Sequence, residues 1–361
     1  MTSRSLGSQI SYFLKSRGVE YIFGIPGVHN QELYRGIQEA GLSHVLARHE
    51  QGAGFMADGY ARATSKPGVA YVITGPGLCN IMTPMGQAYS DSVPMIVISS
   101  CLDEVVVRRG QLHQMLDQEA AAGAVCDWSK TANSARAAYD LLERAFEEFK
   151  SCRARPKHIQ VPISQLQKSA PGFQNKRPYF YPKYYDHENI ERAAKLLIHA
   201  SRPLFILGGG ATKTNFSKLV RRCGAAFFTT FSGRGLIEGN DSRYLGSALA
   251  RPSSAETIAK ADLVIVLGSE LGEVDIWRSR LGHKATMVRV DIDPEVLSDY
   301  HDADLQILMR IEDFIPELVK RLGDYSHSSL WALDQIEKDR KLWQAQAEAE
   351  FPGIAPIVRA L

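Results

Sequence analysis

Leu6, Ile10, Phe13 and Leu14 recur at the spacing of one helical face, and Gly18 follows where such a helix can end. The apolar run Tyr21-Ile22-Phe23-Gly24-Ile25 then reads as a strand, broken by Pro26-Gly27. The alternation continues with a helix near 30–40, a strand at 44–48, a helix at 51–64, a strand at 69–73, a helix at 78–90 and a strand at 95–99. A helix near 133–150 and a strand at 158–161 close the series. Short apolar strands alternating with helical patterns predict a parallel sheet covered on both faces.

Residues 168–186 change character, with Pro171, Gly172, Pro178 and Pro182 set among Lys, Asn and Tyr, which reads as a surface linker. A second βα series follows, with strands at 204–207, 226–229, 263–267 and 287–291, then a polar helix at 331–350 and a short tail. The expected organisation is a domain at 1–167, a linker at 168–186, a second domain at 187–325 and a helical linker at 326–361. The fold class is α/β, with two doubly wound parallel-sheet domains.

A length of 361 residues fits two domains, and 45% hydrophobic with 23% charged residues is an ordinary globular balance. A net charge of +2 without a long basic run gives no footprint for nucleic acid. The first residues lack the apolar core of a signal peptide, and no apolar run approaches a membrane span. Five scattered cysteines without a CxxC spacing argue against a disulfide framework and a zinc site. The expected location is cytoplasmic, with no membrane partner.

The chemistry gathers at the ends of the first strands. Glu50 lies in Arg48-His49-Glu50-Gln51-Gly52-Ala53, after a run read as a short buried strand and before an Ala- and Gly-rich helix. A carboxylate there can bind a polar heterocycle; the plainer alternative is an ion pair with Arg48, two residues away. His29 follows the Pro26-Gly27 turn at a strand's carboxyl end, where it could shuttle a proton or orient a carboxylate, or simply bond to backbone. Gly75-Pro76-Gly77 supplies a tight turn before a helix, with Asn80 expected in its first turn. Gly208-Gly209-Gly210 follows a strand but is not GxGxxG, and no Walker lysine accompanies it. No histidines show ligand spacing, so no metal site is expected within the chain.

Taken in order, Phe23-Gly24-Ile25-Pro26-Gly27-Val28-His29, Arg48-His49-Glu50-Gln51-Gly52-Ala53, Gly59-Tyr60-Ala61-Arg62, Thr74-Gly75-Pro76-Gly77-Leu78-Cys79-Asn80 and Asp91-Ser92-Val93-Pro94 form a connected set. Arg202-Pro203, Gly208-Gly209-Gly210, Gly268-Ser269-Glu270-Leu271-Gly272 and Asp291-Ile292-Asp293-Pro294 extend it over nearly the whole length. The set resembles the first two domains of thiamine diphosphate-dependent enzymes. Its nearest likeness is to the acetolactate synthase-like group and, within it, to decarboxylases of 5-guanidino-2-oxopentanoate. The resemblance implies a thiamine diphosphate-binding fold followed by a Rossmann-like central domain.

It also implies roles. The Glu matching Glu50 hydrogen-bonds a ring nitrogen of the cofactor's aminopyrimidine and so promotes loss of the thiazolium proton; Pro26, Gly27, Gly75, Pro76, Gly77 and Asn80 would surround the cofactor. His113-Gln114 resembles a Phe-Gln pair that reaches the active centre in acetolactate synthases, which makes Gln114 a candidate pocket residue, although the Phe position is His here. The family's third domain holds Mg2+ and the diphosphate through a Gly-Asp-Gly followed by an Asn. Here only Asp58-Gly59 and Gly323-Asp324-Tyr325 come near that pattern, and residues 351–361 look like the helix that would open such a domain. The implied activity is 2-oxoacid decarboxylation or carboligation, in a homo-oligomer or with a chain carrying the diphosphate-binding domain. The alternative is a non-catalytic, truncated assembly module that dimerises with or regulates a full-length relative. Acetolactate synthases also hold FAD in the central domain, but Glu270 stands where they have an Arg. An acid disfavours a pyrophosphate, so an empty or degenerate pocket is expected. Asp117 and Glu119 are candidates to meet a basic 2-oxoacid.

Overall fold

The computed structural model describes residues 4–103, 110–174, 185–211, 214–237, 241–327 and 330–353. They belong to two compact units, Met1–Tyr181 and Pro182–Leu361. The middle of the expected linker (175–184) and residues 354–361 of the opening helix expected at 351–361 lie outside the described residues.

The first unit runs β1 (Arg4–Ser5), α1 (Leu6–Ser16), β2 (Tyr21–Gly24), α2 (Gln31–Glu39), β3 (Ser43–Leu46), α3 (Glu50–Thr64), β4 (Gly68–Val72), α4 (Pro76–Ser90) and β5 (Met95–Cys101). It continues through α5 (Gln118–Gly123), β6 (Trp128–Thr131), α6 (Ala135–Ser151), β7 (Lys157–Pro162), α7 (Ile163–Gln167) and β8 (Ser169–Ala170). Six parallel strands lie in the order β3-β2-β4-β5-β7-β6. Alternate residues of β4 serve opposite cores: Val69 and Tyr71 pack towards α1, α2 and α6, while Ala70 and Val72 pack towards α3 and α4. Two of the motifs are explained by one contact. Arg62 in α3 donates to Asp58 at 2.6 Å and to Asp91 at 2.7 Å, tying α3 to the end of α4.

Three expectations change in this unit. The run 44–48 is not a buried strand: β3 forms the sheet edge, and Leu46 is 63% exposed. Glu50 is therefore the first residue of a helix rather than the end of a strand. The segment after 168 does not begin as a linker, because β8 pairs antiparallel with β1 and Phe173 packs edge-on against Phe13.

The second unit contains α8 (His187–His199), β9 (Pro203–Leu207), α9 (Ser217–Arg222), β10 (Ala226–Thr229), α10 (Ser254–Ile258), β11 (Leu263–Leu267) and α11 (Glu273–Ile276). It then adds β12 (Thr286–Asp291), α12 (Pro294–Leu297), β13 (Leu305–Leu308), α13 (Ile311–Leu322) and α14 (Leu333–Glu350). Its five parallel strands are ordered β10-β9-β11-β12-β13. Helix α14 covers most of the polar helix expected at 331–350. Ile336 and Trp343, seven residues apart and so on one face, are buried against Leu204, Val264 and their neighbours. Trp343 Nε1 also donates to Ser253 Oγ at 2.9 Å. Burial of a side chain such as Ile336 contributes about 1.5–3 kcal/mol, enough to hold a helix whose other faces are polar. Among the described residues no helix is long and apolar enough to cross a membrane.

Candidate functional site

In the first unit the chain moves outward from β2 to β3 and then returns past β2 to β4. Ligands of open α/β sheets lie outside the carboxyl ends of the strands at such a switch point. The loops after β2, β3 and β4 meet there, and they carry Pro26, Gly27, His29, Glu50 and Gly75.

Glu50 is 8% exposed and opens α3, where the helix dipole favours a carboxylate. Asn80 Nδ2 donates to Glu50 Oε2 at 2.9 Å. Gly54 permits that approach, since a Cβ there would collide with the ring of Pro84 and force α3 and α4 apart. Asn80 lies just beyond the first turn of α4, four residues after Pro76. Glu50 Oε1 has no hydrogen-bond partner among the described residues and stands 3.5 Å from where a Cβ on Gly77 would be. Arg48 is exposed, and no ion pair joins it to Glu50. The structure thus shows an amide–carboxylate pair where the plainer alternative was an ion pair with Arg48.

The glycines have packing reasons of their own. A Cβ on Gly77 would lie 2.7 Å from Ile73 Cγ2, and one on Gly27 would collide with Ile73 Cδ1. Asn30, fully buried, accepts from Gly27 N at 2.7 Å and so closes the Pro26-Gly27 turn. Pro26 and Pro76 are exposed beside these turns.

Gly75 caps α4 at φ 69° and ψ −108°, and a Cβ there would meet the carbonyl oxygen of His113. Gly75→Ala is expected to cost about 1–3 kcal/mol in backbone strain, read as a lower urea midpoint. It should also displace His113, shown by a shifted imidazole resonance. A wild-type midpoint would remove the turn's strain argument.

His29 and His113 face each other edge-on with ring centroids 5.4 Å apart. Both Nδ1 atoms are buried without a partner among the described residues. Burial lowers the His29 pKa, and the neighbouring His113 lowers it further, so His29 is mostly neutral at pH 7. Gln114 follows in the same turn, half-buried, with its N–H donating to Gln111 O at 3.1 Å. The two acids suggested for a basic substrate are engaged elsewhere. Asp117 caps α5 through Ala120 N at 2.9 Å, and Glu119 accepts from the Thr131 hydroxyl.

The side chain that grips the Gly75 turn is Gln118, which the sequence did not single out. Its Oε1 accepts from Gly75 N at 2.8 Å, and its amino group faces Ser99 Oγ, Ser100 O and Gln160 Oε1 at 3.1, 2.9 and 2.9 Å. Ser100 Oγ accepts from Thr74 N at 3.1 Å and from Thr74 Oγ1 at 2.9 Å. The only sequence signal for Gln118 is its place after the helix-capping Asp117, and that predicts a helix start rather than a buried amide.

The second unit has a comparable crevice between β9 and β11. Gly210 N donates to Gly268 O at 3.0 Å, and Gly268 has φ 60°. Asp291 and Asp293 serve the turn after β12: Asp293 N donates to Asp291 Oδ1 at 3.0 Å, and Asp293 caps α12 through Glu295 N at 3.0 Å.

These two parallel α/β units, with a buried carboxylate at the first switch point, match two models of one family. Residues 4–121 match the thiamine pyrophosphate enzyme N-terminal TPP binding domain, and residues 190–318 match the central domain. The chain belongs to the thiamine pyrophosphate enzyme family.

Within that family it is similar to the probable 2-ketoarginine decarboxylase AruI of Pseudomonas aeruginosa, 39% identical over 344 residues, covering 92% of this chain and 61% of the relative. It is also similar to the acetolactate synthase large subunit of Haemophilus influenzae, at 28% identity over 96% of this chain and 63% of the relative. The acetolactate synthase isozyme 2 large subunit of Escherichia coli is 27% identical over 88% of this chain and 59% of the relative. The chain therefore spans about three fifths of the length of these relatives.

Proposed function

We propose that this chain supplies the pyrimidine-binding and central domains of a thiamine diphosphate-dependent 2-oxoacid decarboxylase or carboligase, with Mg2+ and the diphosphate held elsewhere in the assembled enzyme. The observation that carries this reading is Glu50: a buried carboxylate, oriented by Asn80 through one oxygen, with the other without a hydrogen bond among the described residues and 3.5 Å from where a Cβ on Gly77 would be. A carboxylate held this way fits the ring nitrogen of an aminopyrimidine, and a charge-assisted bond there is stronger than a neutral one. When bound, the cofactor supplies the electron sink for decarboxylation. Glu50 polarises its pyrimidine, Gly75 and Gly77 allow close backbone approach, and neutral His29 with His113 can accept or return a proton at the substrate side.

The substrate class follows from the likeness to a probable 2-ketoarginine decarboxylase. We assign a basic 2-oxoacid, in preference to pyruvate. The test supplies the chain with a polypeptide carrying the diphosphate-binding domain, thiamine diphosphate and Mg2+, and measures carbon dioxide release. Faster release from 5-guanidino-2-oxopentanoate than from pyruvate is expected. Robust turnover by the chain alone would overturn the need for a further domain. No turnover in any combination would favour a non-catalytic assembly module.

A further inference from the structure

His158, the second residue of β7, is fully buried on the sheet face that carries Gln118, and nothing in the proposed chemistry uses it. Its Nε2 lies 2.8 Å from Ser99 Oγ and its Nδ1 lies 2.7 Å from Ser129 Oγ. Ser99 in turn receives the Gln118 amino group at 3.1 Å, and Gln118 receives the Gly75 N–H at 2.8 Å. A polar chain thus runs from the third strand away to the turn that walls the site.

The direction of every bond in this chain can be worked out from its ends. Gly75 N–H can only donate, so Gln118 must present its oxygen there and its amino group inward. The far side agrees independently. Glu119 receives the Thr131 hydroxyl, Thr131 therefore accepts from Gln160 Nε2 at 2.7 Å, and Gln160 is left presenting its oxygen to the Gln118 amino group. Ser99 is consequently an acceptor towards Gln118, and its own hydrogen has one acceptor among the described residues, His158 Nε2. If Nε2 carried the proton, the Ser99 hydrogen would be stranded at a residue with no exposure at all. If Nδ1 carries it, the spare hydrogen falls on Ser129, which is 6% exposed rather than fully enclosed.

We propose that His158 is held as the neutral Nδ1–H tautomer and acts as a positioning residue, orienting Ser99 and through it the Gln118 amide that fixes the Gly75 turn. The inference rests on the reading of that turn as a cofactor wall, but its tests need no cofactor. Its acceptor nitrogen fixes where the Ser99 hydrogen points, which leaves a Ser99 lone pair aimed at Gln118. Gly75 N–H already sets the flip state of Gln118, and the Ser99 lone pair, with Ser100 O and Gln160 Oε1, surrounds its two amino hydrogens and holds the side chain's position beneath Gly75.

The tautomer is read by nitrogen-15 correlation spectra of the imidazole in the full chain. A protonated Nδ1 and an unprotonated Nε2 are expected, unchanged between pH 7 and 5. The coupling is read by hydrogen exchange at Gly75. His158→Leu keeps a side chain of similar bulk but no acceptor, and should speed Gly75 exchange at least tenfold while the β4 amides keep their protection. His158→Gln restores an acceptor near the Nε2 position and should recover most of that loss. Should His158→Leu fail to fold, Ser99→Ala cuts the same link, with the same expected acceleration. A protonated Nε2, or wild-type Gly75 exchange in the folded variant, overturns the proposal. A chain showing the tautomer and the coupling but no thiamine-dependent chemistry in the assembled enzyme refutes the functional reading alone.

Discussion

Glu50→Gln is expected to lower thiamine-dependent turnover in the assembled enzyme by about 10²–10⁴-fold, the range for loss of a positioned acid–base group. Stability should change by no more than about 1 kcal/mol, the net worth of an ordinary hydrogen bond. The two effects separate because of the local geometry. A glutamine has the same shape and can still accept from Asn80 Nδ2, so the packing of α3 against α4 survives. What disappears is the charge on the oxygen facing Gly77, and with it the charge-assisted bond to a heterocycle. The helix dipole at the start of α3 favours the native carboxylate by a few tenths of a kcal/mol, which bounds the stability loss further. Steady-state rates and urea denaturation of the same variant check both halves. Equal activity in Glu50→Gln and wild type would return Glu50 to a structural role.

Asn80 makes that test sharper. It is the residue that turns a carboxylate at a helix start into an oriented one, and it comes from a different helix. The contact exists only because Gly54 and Pro84 let the two helices close together. The resemblance named Asn80 as a cofactor contact; the structure adds its direct hold on Glu50. A heterocycle bound at Glu50, as proposed, would meet a carboxylate whose direction is already set, so little ordering would be left to occur on binding.

Much of this could be read along the chain, for identifiable reasons. The strands β10 and β11 occupy the expected residues 226–229 and 263–267, because buried parallel strands are unbroken apolar runs. The edge elements were less legible. Strand β6 is Trp-Ser-Lys-Thr, with a polar half, and α5 has only six residues, too few to show a helical period. Helix α14 is legible as a polar helix but its packing is not, because its burial depends on two residues, Ile336 and Trp343. At the site, Glu50 and the glycines announced themselves through motifs, while Asn30, Gln118 and His158 did not. A buried polar side chain follows no periodicity, and its partners are distant in sequence: Gln118 joins Gly75, Ser99 and Gln160. Only the folded register, with Ser99 beside Gln160 and His158 beside Ser129, brings them together.

His158 should also make the chain sensitive to acid well above the carboxylate range. Burial pushes its pKa from the ordinary 6.5 down to about 3. Below pH 6.5 the unfolded chain takes up a proton that the folded chain refuses until about pH 3, so stability is complete above 6.5 and declines as pH falls through that window. The slope is about 1.4 kcal/mol per pH unit, hence a loss of about 2 kcal/mol by pH 5. Carboxylates hardly titrate between pH 7 and 5, whereas His29, also lowered by burial, acts in the same direction. The contribution of His158 is isolated by comparison with His158→Gln, which cannot titrate. Exchange of the amides of β5 and β7, followed at pH 7, 6 and 5, reads the opening free energy of this unit directly. The wild type is expected to lose about 2 kcal/mol more than the variant across that range. Parallel curves would mean that the buried imidazole takes its proton with no penalty, and the Ser99–His158–Ser129 bonds could not then hold as drawn.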